Sequence, residues 1–202
     1  MNTLTLRPDG SLRGENTDYA AALDALCGAM GIDRAGLAGR RLAVLGAGGA
    51  ARAIVAALAA CRAEVTVYNR TVARAEALAE EFGVQAAPLD AAARFDGEAV
   101  INCTPIGMHP RVGASPLDGL PPAVRVVFDT IYNPIETRLL RTARQAGRLT
   151  VTGLEMFVNQ AVAQFEAWTG RPAPRDVMRE VVRRRLGAPA GARPVDGPDR
   201  WR

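Results

Sequence analysis

Short apolar stretches alternate along this chain with longer stretches that carry helical spacing. Leu42-Ala43-Val44-Leu45 precedes a helix-forming run at 49–60, and Val65-Thr66-Val67-Tyr68 precedes another at 72–81. A short strand near Val84, strands at 99–101 and 125–129, a helix at 135–146 and a strand at 149–151 continue the series. Strands that are apolar throughout and separated by helices predict a parallel sheet covered on both faces, an α/β doubly wound fold. Ahead of it, residues 2–6, an Asp9-Gly10 turn and residues 11–13 predict a strand, a turn and a return strand. Asn16-Thr17-Asp18 then caps a helix with the stripe Tyr19, Leu23, Leu26 and Met30, ended by Gly31. Residues 36–39 read as a linker. After the last strand, Leu154, Phe157, Val158, Ala161, Val162, Phe165 and Trp168 form one helical stripe, closed by Pro172 and Pro174. Val177, Met178, Val181, Val182 and Leu186 form another. The tail at 187–202, rich in Gly, Pro and Ala, is expected to be disordered.

Composition narrows the class. The 202 residues suffice for one domain with additions, and 49% hydrophobic residues supply a core. The longest apolar run, residues 53–61, is far short of the roughly 20 needed to span a membrane. No cationic-then-apolar leader opens the chain. Cys27, Cys61 and Cys103 are odd in number and widely spaced, which suits a reducing cytoplasm and neither a disulfide framework nor a metal cluster. All 25 basic residues are arginine, scattered apart from Arg183-Arg184-Arg185, so a net charge of +4 gives little support to nucleic-acid binding.

The candidate chemistry starts between the first apolar strand and its helix. Gly46-Ala47-Gly48-Gly49-Ala50-Ala51 has the form G-x-G-x-x-A, the dinucleotide fingerprint of a Rossmann-type fold. Gly46 makes the turn, Gly48 admits a pyrophosphate, and Ala51 allows close packing of helix on strand. The helix start offers free N–H groups and a positive dipole end to the phosphates. In an NAD site an acidic residue about 20 positions on grips the ribose 2′-hydroxyl. Here the second strand ends in Asn69-Arg70-Thr71, with Arg74 following and no acid. If Thr71 caps the next helix, both guanidinium groups converge on its first turn, where they suit a phosphate dianion. The cofactor expected is NADP, against the plainer reading of two solvated surface arginines.

Several segments occur in an order that resembles the shikimate dehydrogenase family. They are Asn2-Thr3-Leu4, Gly14-Glu15-Asn16-Thr17-Asp18, residues 46–52, Asn69-Arg70-Thr71 with Arg74, the run Asn102-Cys103-Thr104-Pro105-Ile106-Gly107-Met108, residues 129–134 with Glu136-Thr137, and residues 153–161. Trp168-Thr169-Gly170 and residues 174–178 look more like bifunctional enzymes in which a dehydroquinate dehydratase precedes the dehydrogenase. The resemblance implies reduction of 3-dehydroshikimate to shikimate with NADPH, in a cleft between an amino-terminal substrate domain and a carboxy-terminal cofactor domain. It implies that Asn2 and Asp18 bind substrate hydroxyls and that Asp18 is the acidic half of a Lys–Asp catalytic pair. Tyr132 and Gln160 bind substrate from the other side. Cys103, Thr104, Pro105, Gly107, Met108, Gly153 and Met156 line the nicotinamide side, and Gly46, Ala47, Gly48, Gly49, Ala50, Asn69, Arg70, Thr71 and Arg74 hold the rest of the cofactor.

Each residue also has a plainer reading. Asp18 alone is a helix cap. Tyr132 is core packing beside Phe128 and Ile131. Gln160, four residues from Met156 on one helix face, is a surface edge. Cys103 is a packed thiol rather than a nucleophile. His109, the sole histidine, is a loop residue, and no metal site is expected. The family's catalytic lysine and serine pair lie upstream of the segment matching Asn2, and this sequence contains no lysine. The expectation is therefore a remnant of the substrate domain at 1–35, an NADP-binding domain at 36–152, returning helices lining the cleft at 153–186, and weak or absent turnover by the isolated chain. The partners are a small-molecule substrate, a missing substrate domain in cis or in trans, and a second copy in a homodimer, with no nucleic acid and no membrane. The rivals are a quinate or aminated-analogue dehydrogenase, a non-catalytic NADP module pairing with a separate chain, and a fragment of a longer gene product.

Overall fold

A computed structural model describes residues 1–187. The expected disordered tail therefore lies outside the described residues, except for Gly187. The chain opens with strands β1 (Thr3–Leu6) and β2 (Leu12–Glu15), paired antiparallel. Helix α1 (Thr17–Met30) follows, with the Asn16 side chain accepting from the Asp18 N–H and Gly31 closing it in the left-handed conformation.

Six strands form the main sheet: β3 (Arg41–Leu45), β4 (Glu64–Asn69), β5 (Gln85–Pro88), β6 (Ala99–Asn102), β7 (Val126–Asp129) and β8 (Leu149–Val151). Their spatial order is β5-β4-β3-β6-β7-β8, every neighbouring pair parallel. This is the doubly wound Rossmann arrangement, and its switch point falls between β3 and β6. Successive residues of a strand serve opposite faces. Leu42 and Val44 join one core, with Val65, Val67, Ile101 and Phe128, while Ala43 and Leu45 join the other, with Tyr68, Val100 and Val127.

Helices α2 (Gly49–Ala60) and α3 (Val72–Phe82) and the helix α1 cover the first face. Helix α4 (Arg138–Gln145) and a 3-10 segment over Leu89–Arg94 cover the second. Helix α5 (Gly153–Thr169) packs on α1, and α6 (Arg175–Arg185) packs on α5 through Met178 and Val182. Asn159 donates to the Ala21 carbonyl at 3.2 Å and Trp168 to the Leu4 carbonyl at 3.0 Å, so α5 ties the hairpin and α1 to the sheet.

Two expectations change, and one segment had none. The linker at 36–39 is part of a 3-10 turn, Ala35–Leu37, whose Leu37 is fully buried. Helix α4 begins three residues later than expected, after the N-cap Thr137. No periodicity marks residues 89–94, where 3-10 turns replace a crossover helix. Among the described residues no helix is long and apolar enough to cross a membrane.

Candidate functional site

The carboxyl ends of β3 and β6 bring two loops together at the switch point. Leu45 pairs with Asn102, and the Cys103 N–H donates to the Leu45 carbonyl at 2.8 Å. Gly46 leaves β3 with φ +104°, and a Cβ there would meet the Cys103 carbonyl at 3.1 Å and the Thr104 methyl at 3.2 Å. Its task is thus the close approach of two loops as well as the turn. Gly48 and Gly49 differ: a Cβ on either meets nothing within 4 Å. Gly48 is the N-cap of α2, and no side chain bonds to that helix start. Open space, exposed glycine backbone and unpartnered N–H groups are what an anionic phosphate group requires. Ala51 is fully buried beneath the loop, as close helix–strand packing demands.

The end of β4 lies beside this turn, since the Gly46 N–H donates to the Tyr68 carbonyl at 2.7 Å. Thr71 stands at the N-cap of α3, but its hydroxyl makes no capping bond. The bend is held instead by the Asn69 side chain, which donates to the Thr71 carbonyl at 2.8 Å. Arg70 and Arg74 are exposed, and neither forms an ion pair among the described residues. Arg52, by contrast, is engaged, pairing with Glu81 and lying over the Phe82 ring. The two free guanidinium groups and the absence of any acid at the strand end survive in three dimensions.

A cleft of about 380 Å³ opens next to the glycine loop, lined by Cys103, Thr104, Pro105, Met108, His109 and residues 130–133. Gly107 turns the first loop with φ +100°. Tyr132 is not core packing: it is exposed at the cleft wall and stacks on Phe157 of α5 at 4.6 Å. Gln160 sits one turn along, its amide donating to the Phe157 carbonyl at 3.2 Å. Gly153 abuts the second loop, where a Cβ would meet the Thr130 carbonyl oxygen at 2.3 Å. Met156 departs from expectation. It packs in the core cluster with the sheet and α1, outside the cleft lining, because that side of α5 faces inward. Burial and the neighbouring Asp129 charge push the Cys103 thiol up, which leaves it without thiolate character at neutral pH.

Asp18 and Asn2 converge at the start of α1. Asn2 accepts from the Thr17 N–H at 2.9 Å and donates to the Thr17 hydroxyl at 3.1 Å. Burial raises the Asp18 carboxyl above its ordinary range, and the Asn2 amide opposes that shift. Asn159, the residue before Gln160 in α5, donates to the Ala21 carbonyl of α1, three residues after Asp18. No three His, Cys, Asp or Glu side chains converge to hold a metal among the described residues.

One participant, Asp129, has no role in the sequence reading, and it acts together with Asn102 of the nicotinamide-side loop. Asp129 and Asn102, at the ends of β7 and β6, are both fully buried. The Asn102 side chain donates to Asp129 Oδ1 at 3.0 Å, and the Thr137 hydroxyl donates to Oδ2 at 2.7 Å. An acid at the end of the otherwise apolar strand Val126–Asp129, with a cap-forming threonine eight residues on, is the signal that could have marked it.

The family described as Shikimate / quinate 5-dehydrogenase matches residues 31–112, and the Shikimate 5'-dehydrogenase C-terminal domain matches residues 153–183. The shikimate dehydrogenase (NADP(+)) of Symbiobacterium thermophilum is 44% identical over 195 residues, covering 89% of this chain and 64% of that protein. That of Shouchella clausii is 42% identical over 193 residues, covering 92% of this chain and 69% of that one. A shikimate 5-dehydrogenase from Thermus thermophilus, solved with NADP(H) and shikimate, superposes with a TM-score of 0.75 at 42% identity, covering 88% of this chain and 66% of that chain. The chain thus spans about two thirds of the length of the curated relatives it matches. Matches of that identity, running through the glycine loop and both cleft loops, place the chain in the shikimate dehydrogenase family.

Proposed function

We propose that the chain is the cofactor-binding portion, with one side of the substrate site, of an NADP-dependent dehydrogenase that interconverts 3-dehydroshikimate and shikimate. The observation that carries this is the pairing of an open, uncapped glycine-loop helix start with two unengaged arginines at an acid-free strand end. NADP supplies the hydride chemistry, and the protein supplies placement. Gly46, Ala47, Gly48, Gly49 and Ala50 receive the pyrophosphate. Asn69, Thr71 and, above all, Arg70 and Arg74 hold the 2′-phosphate end. Cys103, Thr104, Pro105, Gly107, Met108 and Gly153 form the nicotinamide wall, which Met156 supports from the core side. Asn2, Asp18, Tyr132 and Gln160 bind the substrate hydroxyls, and Asp18 orients the group that carries the proton.

The same reading divides the chain into a substrate-side portion at 1–35, a dinucleotide-binding unit at 36–152 and cleft-facing helices at 153–186. The remaining substrate contacts come from a segment in cis or in trans, and the protein works in the cytoplasm, where its three free cysteines stay reduced. The family description that matches residues 31–112 includes quinate, so quinate is the competing substrate.

Calorimetric titration with NADPH and NADH tests the cofactor reading. NADPH should bind at least tenfold tighter than NADH, and the double substitution Arg70→Ala/Arg74→Ala should abolish that preference, a loss of roughly 10- to 100-fold for NADPH alone. Equal binding of both nucleotides, indifferent to the substitutions, would overturn it. Oxidation of shikimate and quinate in NADP+ then reads the substrate.

A further inference from the structure

The two loops that line the cleft are not independent. Asp129 Oδ1 accepts from the Asn102 side chain at 3.0 Å and from the Ile131 N–H at 3.1 Å, while Oδ2 accepts from the Thr137 hydroxyl at 2.7 Å. Asn102 passes the constraint on: its Oδ1 accepts from the Thr104 N–H at 3.0 Å and from the Thr104 hydroxyl at 2.7 Å. Thr104 Oγ1 in turn accepts from the Ile106 N–H at 3.2 Å. The Asn102 carbonyl accepts from the Thr130 N–H at 3.0 Å and from its hydroxyl at 2.9 Å. Asp129 thus stands at the root of both the 103–108 loop and the 130–133 loop, yet does not itself line the cleft.

From this connectivity we infer that Asp129 is a positioning residue, whose carboxylate fixes the spacing of the two cleft loops and thereby the seat of the nicotinamide end of the cofactor. The inference rests on the NADP reading given above. A carboxylate suits this place for a specific reason. All three partners donate, and an ionised carboxylate accepts at both oxygens. An amide keeps only one accepting atom: its NH2 would face the Thr137 hydroxyl, which would then lose the acceptor for its own proton. Among the described residues no cation pairs with Asp129, and a buried charge without one is costly. A mere structural tie between two loops could be made by neutral groups. Burial pushes the carboxyl up to about 6 and the three donors hold it down, so the ionised form prevails at neutral pH.

The test compares the wild-type chain, Asp129→Asn and Thr137→Val. Two probes are used: NADPH, followed by the fluorescence of its nicotinamide ring, and adenosine 2′,5′-bisphosphate, which has the phosphate end but no nicotinamide. In Asp129→Asn the affinity for NADPH should fall on the order of tenfold and the bound-state fluorescence shift should shrink, while the bisphosphate binds within about twofold of wild type. Thr137→Val removes one donor without touching the charge and should give a smaller change of the same kind; it decides the matter if Asp129→Asn does not fold. Unchanged NADPH affinity and fluorescence would overturn the inference, as would a parallel fall for both probes, which is the mark of general loosening. If wild type binds neither probe, the NADP reading itself fails, and this inference fails with it.

Discussion

Asp129 is the residue at which stability and function pull apart. An aspartate in an unfolded chain titrates near about 3.9. Burial raises Asp129 to about 6 in the fold, against the pull of its three hydrogen-bond donors. Between those values the folded chain keeps a proton that the unfolded chain has lost. Its contribution is therefore fully present below the unfolded value and is lost as pH rises through about 6. The span is roughly 3 kcal/mol, so at neutral pH the ionised carboxylate works against folding. Other acids, Asp18 included, titrate alike in wild type and in Asp129→Asn and cancel in the difference. Urea unfolding at a series of pH values should show wild type losing up to roughly 3 kcal/mol relative to Asp129→Asn between about pH 4 and pH 7. A difference independent of pH would mean that the carboxylate is not desolvated as its burial indicates. The sequence can mark the position of this acid and nothing more. An aspartate ending an apolar strand announces neither its depth nor its donors, which come from Asn102, Ile131 and Thr137. For Gly153 the resemblance implies a place on the nicotinamide side, but its close approach to the Thr130 and Ile131 carbonyls exists only after α5 docks.

At the scale of elements, periodicity predicted what periodicity can. The run at 49–60 coincides with α2, and the apolar strands fall where the fully buried sheet requires them. Errors arise where one residue does the work of a pattern. Residues 36–39 read as a linker because glycines flank a single leucine. In the fold that leucine, Leu37, plugs the core beside α1 and α2 from a three-residue 3-10 turn, too short to show any period. The early start expected for α4 has the opposite cause. Ile135 continues the apolar spacing backwards, but it belongs to the α5–α6 cluster, and the helix starts only after the Thr137 cap. If Leu37 is a core residue, Leu37→Ala should cost about 2–5 kcal/mol, the range for truncating a buried leucine. A linker leucine would cost under about 0.5 kcal/mol. Chemical denaturation followed by circular dichroism separates the two, and a value in the lower range would return residues 36–39 to the status of a tether.

For the whole molecule, a missing substrate domain packing on this chain predicts exposed apolar surface on the first helix and the last two. Val177 and Val181 of α6 and Trp168 of α5 agree, but α1 buries Leu23 and Leu26 between α2 and α5. The exposed apolar side chains at the amino-terminal end are instead Leu4, Leu6 and Leu12 of the hairpin. Helical periodicity identifies an apolar stripe without identifying what covers it, and a four-residue strand has too few positions to show which face is buried. The burial of α1 has a thermodynamic consequence. One core cluster contains Leu23 and Leu26 of α1, Ile54 and Leu58 of α2, Val44 and Val67 of the sheet and Met156 of α5. The glycine loop springs from that cluster, so a ligand held there is linked to the packing of all these elements. Saturating a site at about 100 times its dissociation constant stabilises the native state by about 2.7 kcal/mol. For a chain of this size each kcal/mol raises the melting temperature by about 2–4 °C, so NADPH should raise it by roughly 5–10 °C in a single transition. NADH at the same concentration should raise it less, in proportion to its weaker grip on Arg70 and Arg74. Two transitions, only one of them moved by NADPH, would show that α1 and α5 melt apart from the cofactor unit and that the shared core does not couple them.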